Sequence, residues 1–146
     1  MKKKISKKNF FKKVVIVFKT KEIANKKGNL QKFVNNKSNL FKGFGEIYFT
    51  EIKKNKIKGW KKHKKNYSLL KTILGKVKFT FFYKDNFYSL NIKQDDNLLI
   101  QIPPNVWFSF QGISKKNLLC NLMNKAHSDK EVENIDLNEF DIKKIK

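Results

Sequence analysis

A chain of 146 residues that is 40% apolar and carries 14 Phe is about one domain long and has enough apolar surface for a core, which excludes a wholly disordered polymer. Its 34 basic residues, all of them Lys, stand against 12 acids for a formal charge of +22. The excess is confined to residues 1–84, with 26 Lys and 3 acids (+23), whereas residues 85–146 have 8 Lys and 9 acids (−1).

Residues 1–12 read as a Lys-rich lead ahead of a single domain over 13–146. The first apolar run, Val14-Val15-Ile16-Val17-Phe18, reads as a strand. It is too short for a secretory signal core of about 7–15 apolar residues, and no run approaches the roughly 18 needed to span a membrane. Leu30–Val34 follows a turn at Lys27-Gly28-Asn29, and Glu46–Ile52 follows the break Gly43-Phe44-Gly45. Ile57–His63 comes after the polar corner Lys53-Lys54-Asn55-Lys56, and Leu69–Leu74 leads to Gly75. Lys76–Tyr83 alternates strongly, with Val77, Phe79, Phe81 and Tyr83 on one face and Lys76, Lys78 and Thr80 on the other. Phe87–Ile92, Leu98–Ile102, Val106–Ile113 and Leu118–Met123 complete the series, divided by polar turns and by Pro103-Pro104-Asn105. Only Asp136–Lys146 has helical spacing, with Leu137, Phe140 and Lys144 on one stripe and Asp136 as its cap. Some ten strands with regular turn signals predict an all-β domain, a jelly roll that covers both faces of its sheets, followed by a short C-terminal helix.

The basic half invites a nucleic-acid reading, since lysines displace phosphate counterions. Base readout leans on the Arg fork, however, and this chain has no Arg. Lys, Asn, Ile and Phe share A/T-rich codons, which accounts for the lysines without a charge-driven function. The expectation is therefore no nucleic-acid partner and no membrane partner. The single cysteine, Cys120, excludes an internal disulfide and suits a reducing cytoplasm.

Two segments could carry chemistry. In Ile57-Lys58-Gly59-Trp60-Lys61-Lys62-His63-Lys64-Lys65, an extended backbone sends Gly59, Lys61 and His63 one way and Trp60, Lys62 and Lys64 the other. In Ile100-Gln101-Ile102-Pro103-Pro104-Asn105-Val106-Trp107, the proline pair stiffens a corner between strands. Together with Gly28-Asn29-Leu30, Gly45-Glu46-Ile47-Tyr48-Phe49 and Leu74-Gly75-Lys76-Val77-Lys78-Phe79, in that order along the chain, these segments resemble the dTDP-4-dehydrorhamnose 3,5-epimerase family of cupins, from about Val14 to Asp141.

The resemblance implies a dimeric β jelly roll without cofactor or metal. It also implies an isomerase or epimerase that removes a proton beside the keto group of a nucleotide-linked 4-keto sugar, in surface-polysaccharide synthesis. A His base, a Lys that steadies the enolate oxygen and a Tyr acid would share that work, because a cation lowers the cost of enolate charge and a base titrating near neutrality is efficient. Lys61 stands where the epimerases carry the base, and His63 where related ketoisomerases carry the second His of a His-x-His pair. No Tyr occurs between Cys120 and Ala126, where the family carries its acid, which leaves Tyr48 as the substitute. The catalytic candidates are thus His63, Lys61 and Tyr48, and the substrate-binding candidates Glu46, Lys71, His127 and Trp107. Two readings from other classes stand beside this one: a non-catalytic sugar-nucleotide-binding cupin, and a basic nucleic-acid binder. With two His in the whole chain, a metal set is not expected.

Overall fold

The alternation of Lys76–Tyr83 is realised as a strand that buries Val77, Phe79 and Phe81 to 1% exposure or less in the computed structural model, which describes residues 10, 11 and 13–137. In chain order the strands are β1 (Phe10–Phe11), β2 (Val15–Lys19), β3 (Glu22–Ile23), β4 (Leu30–Gln31), β5 (Glu46–Glu51), β6 (Ile57–His63) and β7 (Ser68–Leu74). They continue with β8 (Lys76–Tyr83), β9 (Asn86–Lys93), β10 (Leu98–Ile102), β11 (Trp107–Gly112), β12 (Leu118–Met123) and β13 (Val132–Asn134). A 3-10 turn lies at Gln94–Asp96.

A six-stranded sheet runs β1-β2-β10-β7-β12-β5 and a five-stranded sheet runs β13-β6-β11-β8-β9, with antiparallel pairing throughout both. Consecutive strands repeatedly lie in different sheets, as in a jelly roll. The layer between them is filled by Leu70, Ile100, Ile102 and Leu119 of the larger sheet and by Phe79, Phe81, Phe108 and Phe110 of the smaller. This is the predicted all-β jelly roll, and its longer strands are the predicted ones.

Three details differ from expectation. Leu30–Val34 is a strand only over Leu30–Gln31, where it pairs with β3 as a separate hairpin. The chain after it folds back, so that Phe33, Val34, Leu40 and Phe41 cover the outer face of the larger sheet. Strands β1, β3 and β13 were not anticipated; at two or three residues each they are too short to leave a periodic signal. Most of the Lys-rich lead, and the C-terminal helix beyond Leu137, lie outside the described residues.

The loops are tied by one buried side chain. Asn117 donates through Nδ2 to the carbonyls of Ile52 (2.9 Å) and Ser114 (2.7 Å), and its Oδ1 accepts from the amides of Lys76 and Ser114 (3.1 Å each). Gly75 turns the chain from β7 into β8 at φ +78°, and a side chain there would collide with Asn117 and the backbone before it.

Candidate active site

Strand β6 carries the motif, and a bulge sets which of its side chains enter the cup. Lys61 pairs with Phe108 but Gly59 pairs with Ser109, so Trp60 is an extra residue on the β6 side. At Gly59 the backbone has φ +144°, and a Cβ would sit 2.6 Å from that of Ser109, so only glycine permits this close approach. As a result Lys58 and Lys61 are opposite Phe110 and Phe108, while Trp60 turns outward to pack on Phe82 and Trp107.

On the cup side, a cavity of about 390 Å³ lies against β5, β6 and β11. Its walls include Tyr48, Thr50, Lys58, Lys61, Phe108 and Phe110. Lys58 donates from Nζ to the Thr50 hydroxyl at 2.9 Å. Asn121 of β12, opposite Tyr48 in register, donates from Nδ2 to the phenol oxygen at 2.8 Å. Burial raises the phenol's pKa above its ordinary value, and Glu46 adds to that against the opposing hydrogen bond from Asn121. Tyr48 is therefore a neutral O–H whose proton is not committed to Asn121, an acid aimed at this cavity.

His63 ends β6 and is 4% exposed. Its ring stacks on Phe108 with centroids 5.9 Å apart and an interplanar angle of 26°. Nδ1 lies 2.8 Å from Oε2 of Glu131, while Oε1 of that carboxylate accepts from the amides of Lys65 (3.0 Å) and Asn66 (2.9 Å). Burial raises the carboxyl's pKa, but the hydrogen bonds from Lys65, His63 and Asn66 outweigh it and leave a net lowering. Glu131 is thus ionised and can only accept, which puts the imidazole proton on Nδ1 and leaves a lone pair on Nε2. Burial also lowers the pKa of His63, against the pull of Glu131, so the ring is neutral at physiological pH. Nε2 is buried without a hydrogen-bond partner. The arrangement is that of an oriented, neutral general base.

The other candidates separate into two groups. Glu46 accepts the backbone amide of His127 at 3.1 Å, so both stand at one rim of the cup, although the His127 ring is exposed and bonds Asp129 at 2.9 Å. Lys71 and Trp107 face away from the cup. Lys71 pairs with Leu99 and Cys120 on the outer face of the larger sheet, and Trp107 packs with Trp60 and Phe82 on the outer face of the smaller, with Lys62 Nζ 4.9 Å from its ring centre. Phe108, one residue on, is the side chain that reaches the cavity. Sequence reasoning did not find Glu131 or Asn121. Glu131 is an acid in a polar stretch with no periodicity, and only the pairing of β13 with β6, Val132 opposite His63, brings it there. Asn121 carried a weak signal, as a polar residue within the apolar run Leu118–Met123. Among the described residues no three His, Cys, Asp or Glu side chains converge as a metal site would need.

Fold and site together define a cupin-type jelly roll whose cup holds a His–carboxylate pair behind Phe108, a wall residue of the cavity that Lys61 and Tyr48 also line. The same fold occurs in solved sugar-nucleotide enzymes. A dTDP sugar isomerase from Desulfovibrio desulfuricans G20 superposes with a TM-score of 0.78 at 23% identity, over 84% of this chain and 83% of that one. The 3,4-ketoisomerase QdtA from Thermoanaerobacterium thermosaccharolyticum, solved in complex with TDP, gives 0.70 at 21% identity over 82% and 86%. A dTDP-4-dehydrorhamnose 3,5-epimerase from Elizabethkingia anophelis gives 0.71 at 11% identity over 85% and 76%. The likeness is one of fold. The sequence matches no protein-family model and no curated protein.

Proposed function

We propose that this protein is an isomerase or epimerase that acts on a nucleotide-linked 4-keto sugar by abstracting a proton beside the carbonyl. The carrying observation is the His63–Glu131 pair, a neutral, oriented imidazole with a free lone pair, stacked behind Phe108, which walls a cavity also lined by Lys61 and Tyr48. The shared fold with solved enzymes of that chemistry supports the reading.

In this mechanism Nε2 of His63 takes the carbon-bound proton while Glu131 holds the ring and stabilises the imidazolium that forms. The ammonium of Lys61 steadies the negative charge developing on the carbonyl oxygen, which the dry aromatic wall of Phe108 and Phe110 strengthens. Tyr48 returns a proton to carbon or oxygen. Lys58 grips a phosphate of the nucleotide as a point charge, and Glu46 and His127 border the sugar. Phe108 turns aside to admit the substrate carbon to Nε2, since that ring lies against His63. No cofactor takes part.

The setting that accompanies this reading is cytoplasmic surface-polysaccharide synthesis by a single domain. The working unit is a homodimer joined through the exposed Ile47 and Phe49 of β5, an edge strand of the larger sheet. A second reading, a cupin that binds a sugar nucleotide without turnover, draws on the closure of Nε2 from solvent. Incubation with dTDP-4-keto-6-deoxyglucose in deuterated water separates the two. Deuterium at a ring carbon supports catalysis; binding without any incorporation supports the second reading and overturns the first.

A further inference from the structure

A larger cavity, of about 690 Å³, lies on the opposite side of the six-stranded sheet from the cup, between that sheet and the chain over 30–40. We propose that it is a second binding site, for a small organic anion with an apolar body, of the acyl- or aryl-carboxylate class.

Four observations carry this. The volume is that of a pocket for a compact organic ligand. Its floor and inner wall are apolar, formed by Phe18 and Leu99 of the sheet and by Phe33 and Val34 of the covering chain. Its polar lining is one-sided in charge: Lys21, Lys32 and Lys37 contribute, and no acid does.

The fourth observation is Lys71, which does not itself line the cavity but follows Phe18 and Leu99, both in its wall, on the next strand of the same face. It is 4% exposed, and its Nζ is buried without a hydrogen-bond partner. The acid that bears on it is Glu22 of β3, whose carboxylate is already taken by the amides of Asn97 (3.0 Å), Asn29 (3.2 Å) and Gln31 (3.4 Å). A buried ammonium with no ion pair costs stability, and that cost is recovered when an anion arrives. A second copy of this chain is a poorer occupant, because a two-fold contact centred here would set one lysine rim against another. The site is separated from the cup by the thickness of the sheet and does not depend on the reaction proposed above.

The test is calorimetric titration of the full chain with decanoate, below its micellar concentration and at about 150 mM salt to suppress diffuse charge attraction. Decan-1-ol serves as the uncharged probe, and Lys71→Met, Val34→Trp and the surface control Lys78→Met as variants. The expected result is one-to-one decanoate binding to wild type and Lys78→Met, at least about tenfold weaker binding to Lys71→Met, and none to the filled cavity of Val34→Trp. Decan-1-ol should bind wild type and Lys71→Met alike. Without ligand, Lys71→Met should melt above wild type, and decanoate should raise the melting temperature of wild type by clearly more than that of Lys71→Met. Absence of decanoate binding, or equal affinity in wild type and Lys71→Met, overturns the proposal. If Val34→Trp fails to fold, the Lys71→Met comparison decides.

Discussion

His63 and Glu131 are 68 residues apart in sequence and 2.8 Å apart in space, joined Nδ1 to Oε2 by the pairing of β13 with β6. The carboxylate fixes the tautomer and opposes the acidifying effect of burial on the imidazole. Glu131→Gln should leave the fold intact but lower the rate of deuterium incorporation by about 10²-fold. It should also lower the His63 pKa further, because the anion that favours the imidazolium is gone. An imidazole titration followed by NMR reads this without any substrate; an unchanged His63 pKa would refute the pairing in solution.

The same pair sets a pH dependence. A base works deprotonated, and burial puts the His63 pKa below its usual value, so kcat/KM should rise with pH through an ionisation below about 6.5 and be flat at neutrality. Stability follows the same sign: below about 6.5 the unfolded chain takes up a proton on this residue that the folded chain resists. Folding free energy from His63 is therefore complete above that pH and is lost as the pH falls towards the folded pKa. Glu131, depressed in the fold, adds a loss in the same direction at lower pH, through the carboxylate range. Denaturant melts of wild type and His63→Gln between pH 5 and 7.5 measure the difference.

Tyr48 and Lys61 should separate kinetically. Tyr48→Phe removes the returning proton but not the base, so product formation should fall about 10²-fold while solvent deuterium still enters the recovered substrate. Lys61→Met removes the charge that steadies the enolate, so exchange and turnover should fall together by about 10²–10³-fold. Mass spectrometry of substrate and product from one incubation gives both values.

Asn117 satisfies backbone groups of Ile52, Lys76 and Ser114 from a site 1% exposed. Asn117→Ala leaves several of them buried without partners and should cost about 2–3 kcal/mol, seen as a lower urea midpoint with little change in slope.

Phe49 is 64% exposed on the edge strand β5. If the chain dimerises through this edge, Phe49→Lys should turn a concentration-dependent dimer into a monomer by light scattering, without lowering the melting temperature of the isolated chain.

The strand positions were legible because alternation is a local property. Lys76–Tyr83 shows why: a Lys or Thr at every second position up to Thr80 leaves one arrangement that buries Val77, Phe79 and Phe81. Lys71 shows the limit. Its neighbours Leu69 and Leu70 are apolar on both sides because both faces of β7 are covered there, so parity is not encoded, and the lysine taken for a cup residue faces outward. Trp107 and Phe108 are likewise adjacent aromatics on a strand buried on both faces, and one residue of register decides which enters the cup.

By itself, then, the sequence determined the class of fold, most strand positions and the lysine-rich segment around His63, since these follow from periodicity, turn residues and composition along a short stretch of chain. Tertiary structure decided the rest: the partner of His63, the face on which Lys71 and Trp107 lie, and the bulge that puts Lys58 and Lys61 on one side. Those depend on long-range strand pairing and on which sheet faces are covered, energies shared between distant segments that no local pattern of residues records.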